Sequence, residues 1–206
     1  MIKQLTLPLD IKTTRSLEAG QLVTLAGMIF TGRESFYLRA VEENILPALD
    51  YDKINVMMHV GPVLENNGFE WKVLGLTPTT SIRMEKYAGQ IIRRLKTRAL
   101  IGKGTMGEKT TNAMKDTVAV HLSPIGIYPV LLARQVKKVE NVFFLQEIGP
   151  TEATWVLTVE NFGPFLVDID SRGKNYFGPI ILHARNNKKD IYRKYGIPLN
   201  YKYTPI

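Results

Sequence analysis

The stretch LTPTTSIRMEKY (76–87) places Thr79, Thr80 and Ser81 in a row, with Arg83 two residues on. Pro78 holds the preceding residue extended, so the three hydroxyls fall where a helix begins. One helix cap needs one hydroxyl. Three hydroxyls, the free N–H groups of a first turn and a guanidinium fork together suit a carboxylate. The spacing alone leaves two readings open, a cap or an anion site. IGKGTMGE (101–108) adds Lys103 between two glycines, directly after an apolar run, where the backbone can turn tightly and approach a ligand closely. It is not a phosphate loop, because GxxxxGK[ST] is absent. FTGRESFYLR (30–39) sets Arg33 between an expected strand end and a helix start. Arg33, Arg83 and Lys103 therefore all follow expected strand ends, where open α/β sheets bind ligands. Such a cationic set fits a substrate with two carboxylates. His59, in MHVGPV, reads as a core histidine. Asp168 and Asp170, in VDIDSRGK, read as structural residues of a strand end and turn.

Other chemistries are excluded by composition. The chain has no cysteine, so it can form no disulfide and can hold no metal or iron–sulfur centre on thiolates of its own. His59, His121 and His183 lie far apart without HExxH-like spacing, and no metal ligand is assigned. There is no Ser–His–Asp or Cys–His set. The net charge of +8 favours anionic partners. The basic residues are dispersed, however, in RLKTR and in NNKKDIYRK, with no nucleic-acid motif beside them, so nucleic acid is disfavoured. With 45% hydrophobic and 22% charged residues the chain has ordinary globular composition. No apolar run approaches the roughly 18–20 residues of a membrane span, and MIKQLTLPLDIKTT lacks the apolar stretch of a secretory signal. The expectation is a soluble, cytoplasmic protein.

The candidate residues need elements to position them. QLVTLAGMIF (21–30), KINVMMHVG (53–61), RALIG (98–102) and TVAVHLS (117–123) read as strands. ESFYLRAVEENIL (34–46) reads as a helix. In RMEKYAGQIIRRLKTR (83–98), Met84, Tyr87, Ala88, Ile91, Ile92 and Leu95 form one apolar stripe, the clearest helix of the chain. IGIYPVLLARQVKKV (125–139) is a helix candidate with Pro129 in its first turn. NVFFLQEI, ATWVLTVEN and PFLVDID read as strands, the last two joined by a turn at Phe162-Gly163-Pro164, and NNKKDIYRKYG as a short terminal helix. Strands and helices alternate without a linker or repeat. This predicts one α/β domain with a mixed sheet over residues 1–206, with a core at about 5–180 and a basic C-terminal extension at 181–206.

The ordered set LAGMIFTGRE, HVGPV, TPTTSIRMEKY, IGKGTMG and EATWVLTVENFGPFLVDIDSRGKNYF resembles the β subunit of the iron–sulfur hydro-lyases, the class I fumarase and L-tartrate dehydratase family. The resemblance implies a swivelling β/β/α domain. It implies a hydro-lyase, active only with a cysteine-bearing α subunit, in a heteromer such as α2β2. That partner would hold a [4Fe–4S] cluster whose open iron acts as Lewis acid on the hydroxyl of a C4 dicarboxylate, fumarate/malate or tartrate. By the same resemblance Arg33, Thr80, Ser81 and Arg83 are substrate-binding, and Thr79 and Lys103 are catalytic, with Thr79 as the base and Lys103 favouring its alkoxide. Two departures stand out. Tyr37 occupies the place of a family histidine, and IGIYPV, with Ile127 and Tyr128, replaces a Gly-Gly-Ala segment. Readings from other classes are a stand-alone module for anions or nucleic acid, and a non-catalytic regulatory paralogue.

Overall fold

A computed structural model describes residues 1–126 and 128–201; Ile127, one of the two bulky residues noted above, lies outside the described residues. The chain forms two compact units, Met1–Asn175 and Tyr176–Ile206. The first contains, in order, β1 (Ile2–Thr6), α1 (Ile11–Arg15), β2 (Leu22–Thr31), α2 (Glu34–Val41), β3 (Val56–Met58), β4 (Val63–Asn66) and β5 (Trp71–Gly75). A 3-10 turn (Ser81–Met84) leads into α3 (Glu85–Leu95). Then follow β6 (Ala99–Ile101), α4 (Glu108–Thr117), β7 (Val120–Pro124), α5 (Pro129–Arg134), β8 (Val136–Phe143), α6 (Leu145–Ile148) and β9 (Thr154–Ile169). The second unit is built on α7 (Gly178–Lys194), none of whose residues is buried.

The main sheet runs β1-β2-β3-β6-β7-β9-β8 and is mixed. β1, β2, β3, β6 and β7 pair in parallel, and β9 is antiparallel to β7, β8 and β2. The pairing of β2 with β9 closes β2, β3, β6, β7 and β9 into a ring. Two features of the strands permit closure. β9 is 16 residues long, and β2 has irregular registers at Val23/Leu25 and Leu25/Gly27, which bend a strand and increase its twist. Strand residues alternate between two cores, as the period of two requires. Ile29, Val56, Met58, Ala99, Ile101, Trp155 and Leu157 share one cluster. Phe30, Met57, Leu100 and Val156 face the other, together with Phe36, Ala88, Ile91, Ile92 and Leu95 of α2 and α3.

Several elements depart from the sequence expectation. ATWVLTVEN and PFLVDID are one strand, β9, not two strands joined by a turn at Phe162-Gly163-Pro164. Buried Phe162 and Phe165 fasten the chain on both sides of the glycine, so it bends without reversing. The helix expected at 125–139 is only α5, and residues 136–143 leave it to pair with β9. The expected strand NVFFLQEI is divided between β8 and α6, and the terminal helix is longer than NNKKDIYRKYG.

α4 escaped the sequence reading because EKTTNAMKDT has few apolar residues. Its N-terminus is held by a side chain from another helix. The Glu85 carboxylate accepts the amides of Gly107 (2.8 Å) and Thr110 (3.2 Å) and the Thr110 hydroxyl (2.7 Å). A carboxylate there meets both the unpaired N–H groups and the positive end of the helix. Glu85→Ala is expected to lower stability by about 1–2 kcal/mol, the scale of a lost N-cap, read from a urea unfolding midpoint. An unchanged midpoint would mean that water caps α4 equally well.

Candidate active site

The C-terminal ends of β2, β3 and β6 are neighbours in the sheet, and each ladder continues by one bond beyond its strand. Gly32 N donates to Met58 O (3.0 Å), His59 N to Ile101 O (2.8 Å) and Gly102 N to Leu122 O (3.0 Å). Arg33, Gly61 and Lys103 follow these ends. The hydroxyl-rich turn lies across them: Thr79 N donates to His59 O (2.6 Å), Lys103 N to Thr79 O (2.9 Å) and Ser81 N to Lys103 O (3.0 Å). Thr80 and Lys103 are thereby bridged like adjacent strand residues. The TTS turn and the GKG loop are one construction, although sequence spacing shows them only as separate motifs.

Two of the three cations share a carboxylate. Arg83 Nη2 lies 2.7 Å from Glu34 Oε1, and Arg33 Nε lies 3.5 Å from Glu34 Oε2. Arg33 is further fixed by Glu152 at 3.2 Å and by the Thr151 carbonyl at 3.3 Å. Gly61 leaves room for this arrangement, since a Cβ there would stand 2.3 Å from Thr151 O and 2.8 Å from Arg33 Nη1. Arg83 Nη2 also donates to Thr79 Oγ1 at 2.5 Å. The Thr80 hydroxyl and the Lys103 ammonium have no protein partner among the described residues, and Lys103 is exposed.

None of the three hydroxyls caps the helix: Thr80 stands at the N-cap of the 3-10 turn without a side-chain cap bond. Ser81 departs from its expected place. Its hydroxyl is fully buried and turned inward, 3.0 Å from His59 Nδ1 and 3.0 Å from His121 Nε2. Its burial and its two imidazole neighbours turn it away from the exposed face that carries Thr80 and Lys103. Beyond it, Tyr37 Oη lies 2.7 Å from His59 Nε2, and His121 Nδ1 lies 2.6 Å from Asp168 Oδ1. Ser123 Oγ reaches Gly104 O (2.7 Å) and Asp168 Oδ1 (3.0 Å). Burial, with a smaller contribution from His121, pushes His59 down to about 3, so it is neutral. Burial likewise pushes the Tyr37 phenol up, so it keeps its proton.

His59 and Asp168 thus belong to a polar cluster that the sequence reading treated as a core histidine and a structural acid, and His121 and Ser123 escaped it. The available signal was polar residues in otherwise apolar buried strands, at His121 in VAVHLS and Asp168 in FLVDID.

The chain belongs to the fumarase C-terminus family, whose model matches residues 3–180. The L(+)-tartrate dehydratase subunit beta of Escherichia coli K12 is 33% identical over 85% of this chain and 86% of its own length. A Methanocaldococcus jannaschii protein named "Putative L(+)-tartrate dehydratase subunit beta" is 34% identical over 89% of this chain and 91% of its own. A Geobacillus stearothermophilus protein named "Putative fumarate hydratase class I" is 36% identical over 82% of this chain, which spans only 32% of that longer protein.

Proposed function

We propose that this chain is the β subunit of a cytoplasmic hydro-lyase that adds or removes water on a C4 dicarboxylate, tartrate or the fumarate/malate pair. It acts only with an α subunit that holds a [4Fe–4S] cluster. The observation that carries this reading is the single carboxylate of Glu34 between the guanidiniums of Arg33 and Arg83. Two guanidinium groups set around one carboxylate can take a substrate carboxylate in its place. The cluster does not fit this chain's own residues. Cysteine is absent, and among the described residues no group of three or more His, Cys, Asp or Glu is placed to hold a metal ion. Its ligands must come from the partner.

The residues of this chain then divide the work. Arg33 and Arg83 hold carboxylates and offset the charge that develops beside them on proton loss. Thr80 offers its free hydroxyl as a further donor. Thr79 Oγ1 exchanges the proton next to the carboxylate. Arg83 Nη2 and the Lys103 ammonium favour the alkoxide form in which Thr79 takes that proton, and to which it returns when it gives the proton back. Tyr37 faces the interior, so its presence in place of histidine does not remove a group from the exposed face. No helix among the described residues is long and apolar enough to cross a membrane.

The test is anaerobic reconstitution with a cysteine-bearing partner and assay of L-tartrate, malate and fumarate. Turnover of at least one is expected. Arg83→Ala should weaken its apparent binding roughly 10- to 100-fold, the loss of a charge-assisted hydrogen bond. A reconstituted pair inert toward all three overturns the assignment.

A further inference from the structure

We propose that Tyr37, His59, Ser81, His121 and Asp168 form a buried hydrogen-bond chain of one fixed direction that positions the Thr79–Thr80 turn against the Lys103 loop. His59, His121 and Asp168 are then positioning residues of the site. The direction of the chain follows from its own chemistry; the positioning role rests on the carboxylate-site reading above.

All five side chains are fully buried, so no solvent proton can repair a mismatch. The Tyr37 phenol proton has His59 Nε2 as its one acceptor among the described residues, and passing the donors along from that end puts the proton of His121 on Nδ1, facing Asp168 Oδ1, and leaves Nε2 as an acceptor. Ser81 Oγ must then donate to His121 Nε2 and accept from His59, which places the proton of His59 on Nδ1. His59 Nε2 is left to accept from the Tyr37 hydroxyl. Each of the four protons has one acceptor. The opposite direction requires either a doubly protonated His121 or a protonated Asp168 that donates to a neutral one. It also has His59 Nε2 donating to Tyr37 Oη, which leaves the buried phenol proton with no acceptor among the described residues. The forward direction gives every one of these protons an acceptor, and the one atom it leaves without a partner among the described residues is Asp168 Oδ2.

Both loops of the site are tied to this chain. Ser81 follows Thr80 directly, and its amide is bonded to Lys103 O. Its hydroxyl packs over Gly102, where a Cβ would stand 1.7 Å from Ser81 Oγ. On the other side, the Ser123 hydroxyl lies 2.7 Å from the carbonyl of Gly104 and 3.0 Å from Asp168 Oδ1, and these two acceptors share its one proton. The residues before and after Lys103, and the residue after Thr80, are thus referred to one internal carboxylate. Neither open-faced residue needs its own side chain to hold the geometry.

The test uses the full chain, uniformly 15N-labelled, with long-range proton–nitrogen correlation of the imidazoles. Both buried histidines are expected as neutral Nδ1–H forms, opposite to the Nε2–H form that free histidine prefers. An Nε2–H or doubly protonated form at either residue overturns the direction. Ser81→Ala removes the middle link. Amide exchange at Lys103 is expected to quicken roughly tenfold or more, while Met57 and Leu100 stay as protected as in the wild type. In the reconstituted enzyme, kcat is expected to fall roughly 10- to 100-fold with KM changed by less than about threefold, as for a displaced catalytic group. Unchanged exchange at Lys103 overturns the positioning role. If the wild-type pair turns over none of the three diacids, the hydro-lyase reading fails, while tautomers and exchange still decide the chain.

Discussion

Gly102→Ala is expected to cost about 3 kcal/mol or more and to lower the melting temperature by roughly 6–12 °C for a chain of this size. Gly102 has no unusual backbone angle; its requirement is spatial. A methyl there would lie 1.7 Å from Ser81 Oγ and 2.9 Å from His59 Nδ1. Neither neighbour can retreat, because Ser81 and His59 are both fully buried and joined to each other. Forcing Ser81 away breaks its bonds to both imidazoles and leaves buried donors unpaired, each a further loss. Gly104, two residues on in the same motif, is the control. It sits at φ +78, and a methyl on its Cα would meet nothing within 4 Å, so Gly104→Ala should cost only the local backbone strain, about 1–2 kcal/mol. Calorimetric or fluorescence-detected melting separates the two. Equal small effects at both positions would mean that the Ser81 cluster is loosely packed, against the close approach of Gly102 to Ser81.

That contrast also shows what the sequence could and could not disclose. Glycines flanking Lys103 are visible in the sequence, and both suggest close backbone approach. Only the structure shows that one makes room for a hydroxyl from residue 81 while the other adopts a left-handed turn. The same division recurs through the fold. The stripe of α3 and the apolar runs of β2, β3, β6 and β7 follow from local period, and were readable. The closure of the sheet was not, because it depends on β9 continuing through Phe162-Gly163-Pro164, a tripeptide that on local grounds reads as a reversal. Of the candidate residues, Arg33, Arg83, Thr79, Thr80 and Lys103 come together as strand-end positions should. In the sequence Ser81 groups with Thr79 and Thr80 because its type matches theirs. Its inward direction is set by His59 and His121, residues that no spacing rule links to it. Glu34 likewise gave no local sign of standing between two arginines.

Thr79→Ala is expected to lower kcat of the reconstituted enzyme by about 10²–10⁴, the scale of a lost general base, with Thr79→Ser recovering most of the activity. The fold should be indifferent, within about 0.5 kcal/mol, because the backbone of Thr79 is held independently of its side chain. Its amide donates to His59 O at 2.6 Å, and its carbonyl accepts from Lys103 N at 2.9 Å. A threonine hydroxyl is a poor base in water. Here its oxygen accepts from Arg83 Nη2 at 2.5 Å, and a positive charge at that distance favours the deprotonated oxygen over the protonated one. On the proposed function Arg83 would serve two roles, one toward the substrate carboxylate and one toward Thr79. Arg83→Lys tests this: a single nitrogen, Nη2, meets both Glu34 and Thr79, and a lysine retains the charge but not the planar guanidinium that fixes that nitrogen in place and leaves Nη1 and Nε for a second carboxylate bond. It should lose more in kcat/KM than the retained charge alone would suggest. Near-normal kcat in Thr79→Ala would transfer the proton-exchanging role to another group, and Lys103, the unpaired cation bridged to the same turn, would be the residue to replace next.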